Sequence, residues 1–167
     1  WRWRCRFRWQ KSWQAVARAW AKQYLPPQYV SVKIRSGDFL RTYWVPKTKE
    51  PVLHCFNKLA EATHYYLKKM GMPPETPVLL ATEWPDPPEG RWNYEVTAML
   101  TEAFNRFHRK VNLVTYTNSS YDIGIVTLIQ FYLLLDSAIV VAIEDTMLQL
   151  VRQYNPSLPV AAVGSQS

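Results

Sequence analysis

The sequence predicts an α/β protein built on a parallel β-sheet flanked by helices. Three observations carry that expectation. Helical and extended patterns alternate from residue 12 to residue 154. Three of the four candidate strands are nearly uninterrupted apolar runs, as strands covered on both faces are. A helix-length segment separates each strand from the next, the spacing that right-handed parallel crossovers need.

Each element has a local reason. Ser12 is placed to cap a helix whose apolar stripe is Trp13, Val16, Ala17, Trp20 and Tyr24, and Pro26 and Pro27 stop it. Tyr29–Arg35 (YVSVKIR) is a strand that turns at Ser36-Gly37-Asp38. A loop with Trp44 and Pro46 follows, then Pro51 in the first turn of a second helix. Its stripe is Val52, Phe56, Leu59, Ala60, Thr63, Leu67 and Met70, and Gly71 and Pro73 end it. Val78–Thr82 (VLLAT) is a buried-type strand, followed by the exposed loop WPDPPEG. A third helix carries Val96, Met99, Leu100, Ala103, Phe104 and Phe107, with His108, Arg109 and Lys110 at its carboxyl end, where cations suit the dipole. Val111–Tyr116 is a strand and Asn118–Asp122 a polar turn. Ile123–Leu135 is apolar nearly all round and predicts a buried helix. Ala138–Ile143 is a buried strand, and Asp145 is placed to cap a last helix through Tyr154, before Pro156.

Residues 123–143 also have the length of a membrane span. Gln130, Asp136 and Ser137 interrupt the run, and leucine-rich sequence gives way to β-branched residues at Asp136. An aspartate inside a span costs roughly 2.5–3.5 kcal/mol. Helix, turn and strand explain the break without that cost.

Composition bounds the functional classes. The chain has 167 residues, 48% of them apolar and 20% charged, enough for a real core. Its length is that of one ordinary domain or half of a larger enzyme. Cys5 and Cys55 are too few for a disulfide scaffold and lack zinc-site spacing. The net charge of +7 is a property of one end: residues 1–22 hold seven basic groups (Arg2, Arg4, Arg6, Arg8, Lys11, Arg18, Lys22) and no acid. The rest balances 13 basic against 13 acidic groups, so the charge does not argue for nucleic acid. Two units are therefore expected: a basic aromatic segment with its helix over 1–22, and the α/β domain over 23–167. Trp1–Trp9 (WRWRCRFRW) reads as an edge strand or the cut edge of a longer chain. Its amphipathic basic character also permits binding to an anionic lipid surface or to nucleic acid, the former as a peripheral membrane contact through residues 1–22.

In an open parallel sheet, ligands bind beyond the carboxyl ends of the strands, where strand order reverses. The strand-end loops carry Lys33, Arg35, Gly37 and Asp38; Glu83, Trp84 and Asp86; Thr117, Asn118, Ser119, Ser120 and Asp122; and Glu144, Asp145 and Thr146. Arg35 is the most informative. A guanidinium there can grip a phosphate through two parallel hydrogen bonds, and Gly37 allows close backbone approach. Strand alternation puts Lys33 on the same face. The alternative is an Arg35–Asp38 ion pair, and spacing leaves both open. There is no GxGxxG and no GxxxxGK[ST] phosphate loop, no Gly-x-Ser-x-Gly elbow and no HExxH. His54, His64 and His108 all fall on expected helices, so no metal site is expected, and Cys55 reads as packing.

QYVSVKIRSGDF (28–39) resembles the His-x-Arg-x-Gly-Asp strand and loop of the GDP-fucose-dependent O-fucosyltransferase and α1,6-fucosyltransferase families. VLLATE (78–83) is similar to their Ala-Thr-Asp strand end, and residues 121–152 to their apolar helix, buried strand and Ser-Thr turn. The resemblance runs in order and spacing over residues 20–155. It departs at Lys33 for histidine, Glu83 for aspartate and Asp145 for serine, while Arg35, Gly37, Asp38 and Thr146 keep the expected types.

The resemblance implies a Rossmann-like sheet, the C-terminal donor-binding half of a GT-B glycosyltransferase, with most of the acceptor half outside this chain. It implies GDP-fucose as donor substrate, no cofactor or metal, and inverting transfer to a protein or glycan hydroxyl. Arg35 would be the catalytic cation; Lys33, Gly37, Asp38, Glu83, Asp145 and Thr146 would complete the donor site. A carboxylate at Asp145 would repel a diphosphate, which leaves a degenerate nucleotide-binding or interaction domain without transferase activity as the alternative. A Golgi or endoplasmic reticulum location follows from the resemblance, and Asn118-Ser119-Ser120 is a glycosylation pattern consistent with it. Any further membrane contact would come from an anchor outside this chain.

Overall fold

The computed structural model describes residues 9–34, 50–73, 75–82, 91–106, 112–118, 120–143 and 146–163. The elements run α1 (Trp9–Tyr24), β1 (Val30–Ile34), α2 (Glu50–Lys69), β2 (Pro77–Thr82), α3 (Arg91–Asn105), β3 (Asn112–Val114), α4 (Ile123–Leu135), β4 (Ile139–Ala142), α5 (Thr146–Tyr154) and β5 (Val160–Ala162). The five strands form one sheet in the order β3-β2-β1-β4-β5, and every pairing is parallel. The expected α/β class is correct, and the sheet is Rossmann-like.

Period-2 alternation divides the strands between two cores. Val30, Val32, Ile34, Val78, Leu80, Ile139 and Val141 point to one face, where Phe56 and Leu59 of α2 and Leu100 and Phe104 of α3 cover them. Leu79, Ala81, Val140 and Ala142 point to the other, covered by Ala17 of α1, Ile129 and Leu133 of α4, and Leu148 and Val151 of α5. Burying both faces is why these strands read as apolar runs.

The helix ends follow from their caps. Gly71 has φ +65°, the left-handed conformation that favours glycine, and ends α2 in a Schellman motif. Met72 N–H donates to the Leu67 carbonyl (2.9 Å) and Gly71 N–H to that of Lys68 (3.0 Å). Asp122 caps α4, its Oδ1 accepting from Gly124 N–H at 2.7 Å.

At the other end of α4, all four terminal carbonyls find donors. Tyr132 O accepts from Asp136 N–H (3.2 Å), Leu133 O from the Tyr29 hydroxyl (2.6 Å), Leu134 O from Ser137 Oγ (2.6 Å) and Leu135 O from Asn155 Nδ2 (3.2 Å). A nearly all-apolar helix is thus buried without orphaned carbonyls at its end.

Some expectations need correction. The sheet has a fifth strand, β5, which the sequence reading left out; Val140 N–H donates to Pro159 O (3.0 Å) and Val163 N–H to Ala142 O (2.7 Å). Ser12 lies inside α1 and not at its cap, because Gln10 and Lys11 are good helix formers that extend the helix to Trp9. Tyr24 is 46% exposed and leans on Trp20 at 5.1 Å between ring centroids, off the buried stripe. Trp13, Val16 and Trp20 of α1 pack into the α4 side of the sheet. The apolar side of α1 is therefore committed to the core. No helix among the described residues is long and apolar enough to cross a membrane, and the 123–143 run divides into α4 and β4. Residues 1–8 lie outside the described residues, as do the WPDPPEG loop and His108 to Lys110.

Candidate functional site

The chain builds outward from β1 through β2 to β3, then returns to β4 on the opposite side of β1. Strand order therefore reverses between β1 and β4. In open parallel sheets such a reversal is where a ligand crevice forms, beyond the carboxyl ends of the two strands. Ile34 ends β1, Thr82 ends β2 beside it, and Ala142 ends β4, ahead of the start of α5 at Thr146.

Among the described residues, Lys33 is the charged group the fold brings to this point. It is 1% exposed, among the largest fully buried side chains of the described residues. Its neighbours across the sheet are Ala81 on β2 and Ala142 on β4, both fully buried and both with only a methyl group to present. The pair of alanines leaves room for a four-carbon stem on the α1, α4 and α5 side. The Lys33 Nζ donates to the Ile34 carbonyl at 2.9 Å, which holds the ammonium toward the carboxyl end of β1. Burying a lysine amino group is costly without hydrogen bonds, and this bond offsets part of that cost. Two residues earlier on the same face, the Ser31 Oγ is buried with no hydrogen-bond partner among the described residues.

Of the other residues singled out in the sequence, Thr146 begins α5, and α5 carries Arg152 in its last turn. Arg35, Gly37, Asp38, Glu83 and Asp145 lie outside the described residues. Among the described residues, no group of three His, Cys, Asp or Glu side chains is placed to hold a metal. Cys55 packs against the α2 core and burial pushes its thiol pKa up, with the Lys58 charge opposing, so it is held as an unreactive thiol. His64 lies 6.3 Å from the Phe104 ring, within the α2–α3 packing. The sequence reading placed Lys33 beside Arg35 but missed its burial and the alanines that flank it. The alanines are visible in the sequence, but only the register shows that they meet Lys33.

No protein-family profile matches the sequence, and no curated protein matches it. Solved structures do. The chain is similar to POFUT1, an O-fucosyltransferase, in a crystal structure with GDP (TM-score 0.57) and in an apo form (TM-score 0.53). Identity is 12% in both, and each match covers 92% of this chain and 46% of the other. The likeness is one of fold. This chain spans less than half the length of the structures it matches.

Proposed function

We propose that the chain is the donor-binding half of a glycosyltransferase that takes GDP-fucose at the β1–β4 switch point. The observation that carries this reading is the buried Lys33 ammonium at the carboxyl end of β1, in a fold similar to that of a GDP-bound O-fucosyltransferase. Arg35, one residue past Ile34, is the cation we assign to the donor diphosphate, with Lys33 adding charge from below. Gly37 would let backbone approach the phosphates, and Asp38 and Glu83 are assigned to the same donor site. Thr146 supplies a hydroxyl at the start of α5, where backbone N–H groups also favour an anion. Asp145 next to it opposes a diphosphate and sets an upper limit on donor affinity.

The chemistry is inverting transfer. An acceptor oxygen of a protein or glycan attacks the anomeric carbon of fucose as the bond to the diphosphate oxygen breaks. GDP leaves with the electron pair, and the acceptor proton passes to a base outside this chain. Arg35 and Lys33 stabilise the charge that develops on the leaving diphosphate, an electrostatic contribution that needs no metal. Work in the secretory pathway, in the endoplasmic reticulum or Golgi, follows from this reading.

Isothermal titration of the chain with GDP and GDP-fucose tests it. Saturable binding of both is expected, with Arg35→Ala weakening each by about tenfold or more, the worth of a bidentate charge-assisted contact. No heat with either nucleotide, or an Arg35→Ala variant that binds as the native chain does, would refute it.

A further inference from the structure

The geometry points to a second ligand site at the opposite edge of the sheet, taking a small organic anion with a flat apolar body. A cleft of about 310 Å³ opens there, between the last turns of α1, the α1–β1 loop and the end of α4. Its lining residues Pro26, Pro27 and Tyr29 precede β1, and Asp136 precedes β4. In a sheet whose strands are all parallel, that places the cleft at the amino edge, away from the β1–β4 carboxyl crevice. The volume is at the lower end of the range for small-molecule sites, about 300–1,000 Å³.

The walls and the charges define the ligand. The Pro26 and Pro27 rings offer an apolar surface suited to a planar body. Tyr29 is held in place by the 2.6 Å bond from its hydroxyl to Leu133 O, so its hydroxyl is not available to a ligand. Arg18 and Lys22 stand one helical turn apart on α1 and both line the cleft. Arg18 reaches Asp136 through Nε alone, at 3.4 Å, in a pair whose side chains are 64% and 37% exposed. A single long contact between exposed groups contributes little. The Arg18 terminal amino groups and the Lys22 ammonium bond no other side chain or carbonyl among the described residues. Two cations against one carboxylate leave a net positive mouth over an apolar floor. A carboxylate or sulfonate joined directly to a hydrocarbon aromatic ring satisfies both halves, whereas GDP sets a polar base apart from its phosphates by a ribose.

The probe is 8-anilinonaphthalene-1-sulfonate, with its neutral analogue N-phenyl-1-naphthylamine as control, followed by fluorescence with the native chain. One saturable site is expected for the anionic probe, with the neutral analogue weaker by about tenfold. Lys22→Glu and Arg18→Ala, both at exposed positions, are expected to weaken the anion by about tenfold while leaving the neutral probe unchanged. Asp136→Asn removes the competing carboxylate and is expected to tighten anion binding a few-fold. Added GDP should not displace the probe, whatever the outcome at the other edge. Anion binding indifferent to all three variants, or displaced competitively by GDP, overturns the inference.

Discussion

Tyr29→Phe removes one hydroxyl and nothing else, and the structure sets what that should cost. The Tyr29 side chain is 3% exposed, and its hydroxyl donates to the Leu133 carbonyl at 2.6 Å. Leu133 O is one of the last four carbonyls of α4 and has no partner further along the helix. Phenylalanine keeps the ring packing but leaves that carbonyl buried and unsatisfied, at a cost of about 1–3 kcal/mol. In a domain of this size each kcal/mol lowers the melting midpoint by about 2–4 °C, so a fall of roughly 2–12 °C is expected. Urea unfolding followed by circular dichroism should show a lower midpoint at unchanged m-value.

The same bond predicts a pH dependence. Burial, reinforced by the Asp136 charge, raises the Tyr29 hydroxyl pKa well above its ordinary value near 10. With the folded value raised, the contribution is complete below about pH 10 and is lost as pH rises beyond it. The native chain should therefore lose stability above about pH 10 more steeply than the Phe variant. A Phe variant within about 0.3 kcal/mol of native, with the same alkaline profile, would refute the assignment of Tyr29 as the cap of α4.

Other perturbations have equally direct readouts. Phe56→Ala, at a fully buried position of α2, should cost about 3–5 kcal/mol in urea unfolding by leaving a cavity between α2 and the sheet. Gly71→Ala forces a Cβ into a left-handed conformation and should cost about 1–2 kcal/mol, although nothing lies within 4 Å of the added carbon. Asp145→Ser should strengthen GDP binding about tenfold in calorimetry, by replacing a repelling carboxylate with a hydroxyl. Lys33→Met keeps the stem and removes the charge; it should weaken GDP at least about tenfold while the fold survives in circular dichroism.

The parallel sheet was legible because its central strands are buried on both faces, which leaves Val78–Ala81 and Ile139–Ala142 without a polar residue. α4 was legible for the same reason, and its end at Asp136 marks where helix gives way to strand. β5 was not, because three residues after a proline carry no periodicity of their own. It exists through pairing with β4, a non-local fact. Ser31 and Lys33 alternate with valines in β1. In the fold the face they share lies under α1, α4 and α5, so both polar residues are buried. Sequence spacing also placed Lys33 and Arg35 at a strand end, but the reversal between β1 and β4 that makes this strand end a crevice depends on strand order.

Hydrogen exchange with and without GDP tests the central claim most directly. The account predicts protection in the segments around 30–38 and 139–150, at the carboxyl ends of β1 and β4, with residues 18–29 and 136 unchanged at the amino edge. Protection confined to the amino edge, or none at either strand end under saturating GDP, would contradict it.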